Sequence, residues 1–419
     1  MQPQISTAWD LPKHRDDTRF PIGDMPMNSF AIHAGSMFDG FSLSGPATVH
    51  VLGDRIVRVD RTGALPADGS AVIDLGRSAC LLPGLIDTHV HLAFDAGPDP
   101  VTSLVSASDS DLLVHMRAAA RSALLAGITT VRDLGDPGYL SLALVEEMAG
   151  HPKQGPEILA AGPPLTTLGG HCHFFGGEVE GAEALRTAVR EHHARGCAVI
   201  KIMASGGHMT PGSVAPHASQ YGLEDLRVVV DEAHRLGLPV AAHAHGIQAI
   251  RDAVEAGVDS LEHVSFLSAD GVAPDPDLID TIVRKGTFVS LTLGQDPGVA
   301  LQLPKAMAVF VNALLDTYSS LHKHGANVVI GSDAGIGPAK PHNVLPHSVA
   351  DLARLGVAPL DALISMTSLA ARLCRVEGRK GRIAAGADAD ILVVTGNPAD
   401  DPAAILDVQA VFRAGIRVR

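Results

Sequence analysis

"LLPGLIDTHVHLAF", residues 81–94, is an apolar run that closes on two histidines one residue apart, with an aspartate just before them. Side chains two positions apart on a strand face the same way, so His89 and His91 point together. Taken alone they are either a pair of metal ligands or two core histidines. What decides between these is whether the rest of the chain places polar residues at matching positions.

Outward from this stretch, short apolar segments alternate with helical ones as far as about residue 382. The strand candidates are "LIDTHVHL" (85–92), "ITTVRD" (128–133), "EILAAG" (157–162), "AVIKIMA" (198–204), "LPVAAHAH" (238–245), "VDSLEHV" (258–264), "TFVSLTL" (287–293) and "NVVIGSDA" (327–334). Between them lie amphipathic helices. "LEDLRVVVDEAHRLG" carries Leu226, Val229, Val230 and Ala233 on one stripe and stops at Gly237, and "QAIRDAVEAG" stops the same way at Gly257. Eight strand and helix alternations predict an α/β fold, a (β/α)8 TIM barrel rather than an open sheet, which has fewer strands and a switch point.

The two ends read differently. "FAIHAGSMFDG", "ATVHVLGDRIVRVD" and "AVIDLG" are short β-type segments between turns, and "ADADILVVTG" and "VQAVFRAGIRV" return to that style near the other end. The expected organisation is an N-terminal extension (1–29), a barrel (83–382), and a discontinuous β-sandwich built from residues 30–82 and 383–419.

Composition narrows the function. Lys and Arg number 32 against 46 Asp and Glu, for a net charge of −14. With no basic block, neither nucleic acid nor an anionic membrane surface is an expected partner. No apolar run is long enough to span a bilayer, and residues 1–29 contain no apolar core of a secretory signal. Cys80, Cys172, Cys197 and Cys374 form no CxxC pair, which predicts neither disulfides nor a thiolate metal site, and a cytoplasmic location.

In a barrel of this kind the active site forms at the C-terminal ends of the strands. His89 and His91 end the first strand, Lys201 lies in the fourth, His243 and His245 end the fifth, His263 ends the sixth and Asp333 ends the eighth. A single strand-end histidine is ordinarily structural, and Asp333 in "GSDAG" reads equally as a turn residue. Lys201 is stranger, because a buried ammonium is costly without a partner. Polar residues recurring at one structural position on different strands are hard to explain as independent accidents, and imidazole with carboxylate suits zinc, manganese or a similar divalent ion.

These segments resemble the amidohydrolase superfamily over nearly the whole chain: "PGLIDTHVHL", "VIKIMASGG", "AAHAHG", "SLEHVSFL", "GSDAG" and the closing "GADADILVV". The resemblance implies two divalent metal ions, zinc foremost. His89, His91 and Asp333 would hold one, His243 and His263 the other, and Lys201 would bridge them as an N-carboxylated lysine. It further implies attack of a metal-bridging hydroxide on an amide carbonyl, with Asp333 as the catalytic residue that moves the proton to the leaving amine. His245 then falls to a supporting or substrate-contacting role, and Asp87 to orienting one imidazole.

"KIMASGGHMTPGSVAPHASQY" (201–221) and "GGHCHFFGG" (169–177) look most like the imidazolonepropionase-related branch that contains Xaa-Pro dipeptidases, carboxypeptidases and ochratoxin amidases. This implies a small-molecule substrate, an amide or dipeptide whose scissile bond sits beside a free carboxylate. His171 and Tyr221, each in a strand-to-helix loop and each a hydrogen-bond donor, are the candidates for holding that carboxylate. A third metal site at Cys172, His171 and His173 is not expected, since flanking glycines make that segment a loop over the barrel mouth. Related enzymes are commonly oligomers, so a homo-oligomer is expected. The alternatives are a cyclic-amide hydrolase of imidazolonepropionase type, a mononuclear deaminase, which needs no Lys201, and a scaffold that has lost catalysis.

Overall fold

The computed structural model describes residues 29–66, 69–300 and 310–419; the expected extension (1–29) lies almost wholly outside them. All eight predicted barrel strands form. They are β1 (Leu85–Val90), β2 (Ile128–Asp133), β3 (Glu157–Ala160), β4 (Ile200–Met203), β5 (Val240–Gly246), β6 (Ser260–Ser268), β7 (Phe288–Thr292) and β8 (Asn327–Gly331). Neighbours pair in parallel in the order β3-β2-β1 and β4-β5-β6-β7-β8.

Backbone bonds join the two runs into a ring. On one side Asp333 N donates to His89 O at 2.7 Å and His91 N to Ala334 O at 3.0 Å; on the other Ala198 N donates to Ala160 O and Leu165 N to Lys201 O, each at 2.8 Å. The closed parallel barrel follows from strands apolar on both faces, which must be covered by helices. Helix Leu223–Arg235 does so with Leu226, Val229, Val230 and Ala233 buried, and Gly237 at φ +80° ends it in the conformation only glycine adopts freely.

Two flanking sheets draw on both ends of the chain. One runs Arg55–Asp60, Ala47–Leu52, Ser29–Ala34, Ala71–Asp74; the other runs Ile416–Arg417, Val408–Arg413, Ile391–Thr395, Ala79–Pro83, Ser36–Phe38, Leu43–Ser44. Ile32, Val49, Leu81, Ile391 and Phe412 pack together in a cluster of their own, apart from the barrel core. Ala79–Pro83 pairs antiparallel with Ile391–Thr395 and runs through Gly84 directly into β1. The strand that carries His89 is thus anchored in the flanking sheet.

Candidate metal centre

Seven of the candidate residues meet at the barrel mouth. His89, His91 and Asp333 each present a ligand atom within 4.8 Å of the others, and His243, His245 and His263 form a second such group; among the described residues these are the two sets that could hold a metal ion. Nε2 of His89 and of His91 each lie 3.5 Å from Asp333 Oδ1. The rings of His89 and His263, 5.2 Å apart, link the groups.

Every imidazole spends one nitrogen on the protein. His89 Nδ1 donates to Glu262 Oε2 (3.0 Å) and His91 Nδ1 to the Gly135 carbonyl (3.3 Å). His245 Nδ1 pairs with Ser265 Oγ (2.8 Å), His263 Nδ1 with Thr292 Oγ1 (3.2 Å), and His243 Nε2 with the Gly206 carbonyl (3.1 Å). One nitrogen of each ring is left as a donor atom for a metal. Burial pushes His89 down to about 4 and His91 to about 3, and His243, His245 and His263 well below the usual histidine range. The rings are therefore neutral at pH 7, the form that ligates.

Lys201 is 1% exposed, and its Nζ is a buried polar atom with no hydrogen-bond partner. Burial lowers its pKa to about 8 against the attraction of Glu262 and Asp333, and its charge bears on all five histidines. An unpaired buried amine is costly. An orphaned amine among neutral imidazoles and a carboxylate is a donor set that fits divalent cations.

The remaining predicted residues divide. His171 lines the same cavity, with Nδ1 3.2 Å from Thr210 Oγ1 and its ring 4.7 Å from that of His243. Tyr221 is instead buried off the cavity wall, donating its hydroxyl to the Val179 carbonyl at 2.6 Å. Asp87 does not touch an imidazole: its Oδ1 accepts the backbone N–H groups of Ser332 (2.8 Å) and His89 (3.3 Å), and burial raises it to about 7. The carboxylate hydrogen-bonded to the His89 ring is that of Glu262, and Arg132 NH2 lies 2.8 Å from its Oε1. Both were missed, although each is a charged residue in an apolar strand segment, the same signal that singled out Lys201.

The cavity encloses about 1060 Å³. His89, His91, Lys201, His243, His263 and Asp333 line it, together with the apolar Phe94, Leu293 and Leu314 and the ring of Tyr318. The "GGHCHFFGG" loop closes one side, where Phe175 stacks on His91 with centroids 6.0 Å apart.

A barrel bearing such a set at its mouth is the equipment of a hydrolase. The chain belongs to the amidohydrolase family, whose model matches residues 80–418. It is 27% identical over 360 residues to the ochratoxinase of Aspergillus niger, covering 78% of this chain and 72% of that one. It is likewise 27% identical over 389 residues to the imidazolonepropionase of Anaeromyxobacter sp. (strain K), covering 83% of each. Among solved structures, a Xaa-Pro dipeptidase with bound methionine matches with a TM-score of 0.82 at 26% identity, over 93% of this chain and 99% of that one. The protein is a hydrolytic enzyme acting on amide bonds, from a family that generally uses divalent metals. Among the described residues no helix is long and apolar enough to cross a membrane.

Proposed function

We propose that this enzyme holds two divalent ions, zinc foremost, and hydrolyses an amide next to a free carboxylate in a dipeptide or N-acyl amino acid. His89, His91 and Asp333 would hold one ion, His243 and His263 the other, with Lys201 shared between them as its N-carboxylate. The observation that carries this is the orphaned Lys201 Nζ. Carbon dioxide reacts with a neutral amine, and burial that lowers the lysine pKa to about 8 leaves a useful neutral fraction near pH 7. The carbamate that forms releases a proton and offers two anionic oxygens where the amine had no partner.

Bound ions would supply Lewis acidity, lowering the pKa of water and polarising the scissile carbonyl. The chain's own groups do the rest. Asp333, within reach of both His89 and His91, accepts the proton of the attacking water and returns it to the leaving amine. His171, which lines the cavity, would donate to the substrate carboxylate, and the apolar walls would exclude bulk water around the amide. The matches to an ochratoxinase and a Xaa-Pro dipeptidase support an acyclic amide. The match to imidazolonepropionase favours a cyclic one as the second reading. We assign residues 83–382 to the catalytic barrel and residues 30–82 with 383–419 to the sandwich, and expect self-association, which light scattering would measure.

The test is a screen of metal-loaded enzyme against N-acyl amino acids, Xaa-Pro dipeptides and cyclic amides, with Lys201→Ala as control. Turnover of the first two classes, lost by roughly 100-fold or more in the variant, is expected, on the scale of removing a metal-site support. Full activity of Lys201→Ala at ambient carbon dioxide removes the carbamate. Ring opening alone favours the cyclic-amide reading, and ammonia release alone a deaminase.

A further inference from the structure

Beneath the metal centre lies a buried charged relay that no ligand pattern requires. Glu262 is wholly buried and Arg132 is 2% exposed. Arg132 donates three bonds: Nε to the Thr88 carbonyl (2.6 Å), NH1 to Ser260 Oγ (3.2 Å) and NH2 to Glu262 Oε1 (2.8 Å). Ser260 Oγ also donates to Glu262 Oε1 (2.7 Å), so that oxygen is fully used from below. Oε2 has His89 Nδ1 at 3.0 Å. Arg132 therefore grips His89 from two directions, through the backbone of the preceding residue and through the carboxylate facing its ring.

A buried ion pair is weak evidence for stability, because apolar residues of the same volume do as well or better. Its retention calls for another task, and the geometry supplies one. With Nδ1–H committed to a carboxylate, His89 has one tautomer, its Nε2 lone pair aims at His91 and Asp333, and the adjacent negative charge makes the ring a better donor. Alternation cannot explain how Glu262 and its neighbour His263 both reach the site. The backbone does: His263, Val264 and Phe266 carry φ of +72°, +51° and +48°, and β6 sets four steps against two of β5 between Ala244 and Gly246. That bulge turns His263 inward while Glu262 keeps its own inward direction.

We infer that Glu262, fixed by Arg132 and Ser260, is the positioning residue that locks the tautomer and aim of His89 and so sets the metal affinity of the His89, His91 and Asp333 half of the site. This rests on the proposed ligand role of His89. The prediction is asymmetric: the relay hydrogen-bonds the ring of His89, whereas the rings of His243 and His263 bond instead to the Gly206 carbonyl and Thr292 Oγ1.

The experiment titrates Zn²⁺ into metal-stripped full-length protein against a chromophoric chelator. It pairs this with long-range ¹⁵N–¹H spectra of the histidine rings and with kcat and KM of the reloaded enzyme. Parent protein is expected to bind two ions per chain and to show His89 as the Nδ1–H tautomer. Glu262→Gln is expected to weaken one of the two ions by about 10- to 100-fold, leave the other unchanged, shift the His89 tautomer, and lower kcat more than it raises KM. Because that variant leaves Arg132 buried without a counter-charge, the double variant Arg132→Met/Glu262→Gln is the control for folding, followed by circular dichroism. Equal affinity for both ions in a folded single or double variant, with the His89 tautomer unchanged, overturns the inference. Equal loss at both ions also overturns it. If the parent itself binds no divalent ion, the ligand reading beneath it falls instead.

Discussion

His245 satisfies proximity for a ligand, but the orientation of its ring argues against that role. It sits with His243 and His263 in a tight group, yet its ring is nearly parallel to that of His263, at 22° and 4.6 Å between centroids. A ligating imidazole places the ion in its own ring plane at about 2.0–2.1 Å, which two stacked rings cannot both do. His243 stands at 71° to His263, so their planes converge. His245→Asn is thus expected to keep two ions per chain while kcat/KM falls roughly 10-fold through the lost support. Metal analysis beside kinetics checks this, and loss of an ion would make His245 a ligand. The histidines were legible because they recur at the ends of successive strands. Arg132 and Glu262 stand out only as charges in apolar strand segments, and their pairing is a contact between β2 and β6 that no local pattern contains.

For the elements, short apolar segments alternating with helical ones, and helix-stopping glycines, located all eight barrel strands. The signal failed where the backbone leaves the regular pleat. β6 continues to Ser268, four residues past the predicted segment, because of the bulge that aims His263. Asp333, at φ +56° just beyond β8, is similarly bent toward the site. Such conformations cost about 1–3 kcal/mol each and persist only where surroundings over-determine them. The approach of β8 to β1 is equally exacting. A Cβ on Gly331 would lie 2.3 Å from His89 Cβ and 2.8 Å from its backbone nitrogen. Gly331→Ala should therefore push β1 outward, costing about 1–3 kcal/mol as an overpacked core does. Thermal melting should register that cost, and metal analysis a lowered metal content if His89 is a ligand as proposed.

Across the whole molecule, the sequence allowed the barrel and a sheet shared by distant segments to be expected, since strand count and composition are visible locally. Which strands pair, and how the two parts are fastened, depends on partners far apart in the chain. Besides apolar packing of Leu82, Leu392 and Val411 into the barrel core, the fastening includes an ionic cluster: Arg379 donates to both oxygens of Glu157 on β3, and Lys380 lies 3.2 Å from Glu157 and 3.1 Å from Asp388. Burial alone would raise the Glu157 carboxyl, but Arg379 and Lys380 hold it down to about 2 from an ordinary 4.5. A carboxyl depressed in the folded state contributes fully above its unfolded pKa and loses that contribution as pH falls through the folded one. Stability should accordingly decline between about pH 4.5 and pH 2, by roughly 2 kcal/mol after screening of the partly exposed Arg379. Glu157→Gln should flatten that part of the curve in urea unfolding measured against pH, and an unchanged curve would assign acid lability elsewhere.

The pairing of Ala79–Pro83 with Ile391–Thr395 also has a consequence in time. Pro83 faces Ile391, so the lead-in to the first barrel strand waits for a partner made some three hundred residues later. During synthesis at about 5–20 residues per second, that wait lasts roughly 15–60 s. For that interval the segment holding His89 and His91 lacks this strand partner, so the earliest-made part of the candidate site should be among the last to become rigid.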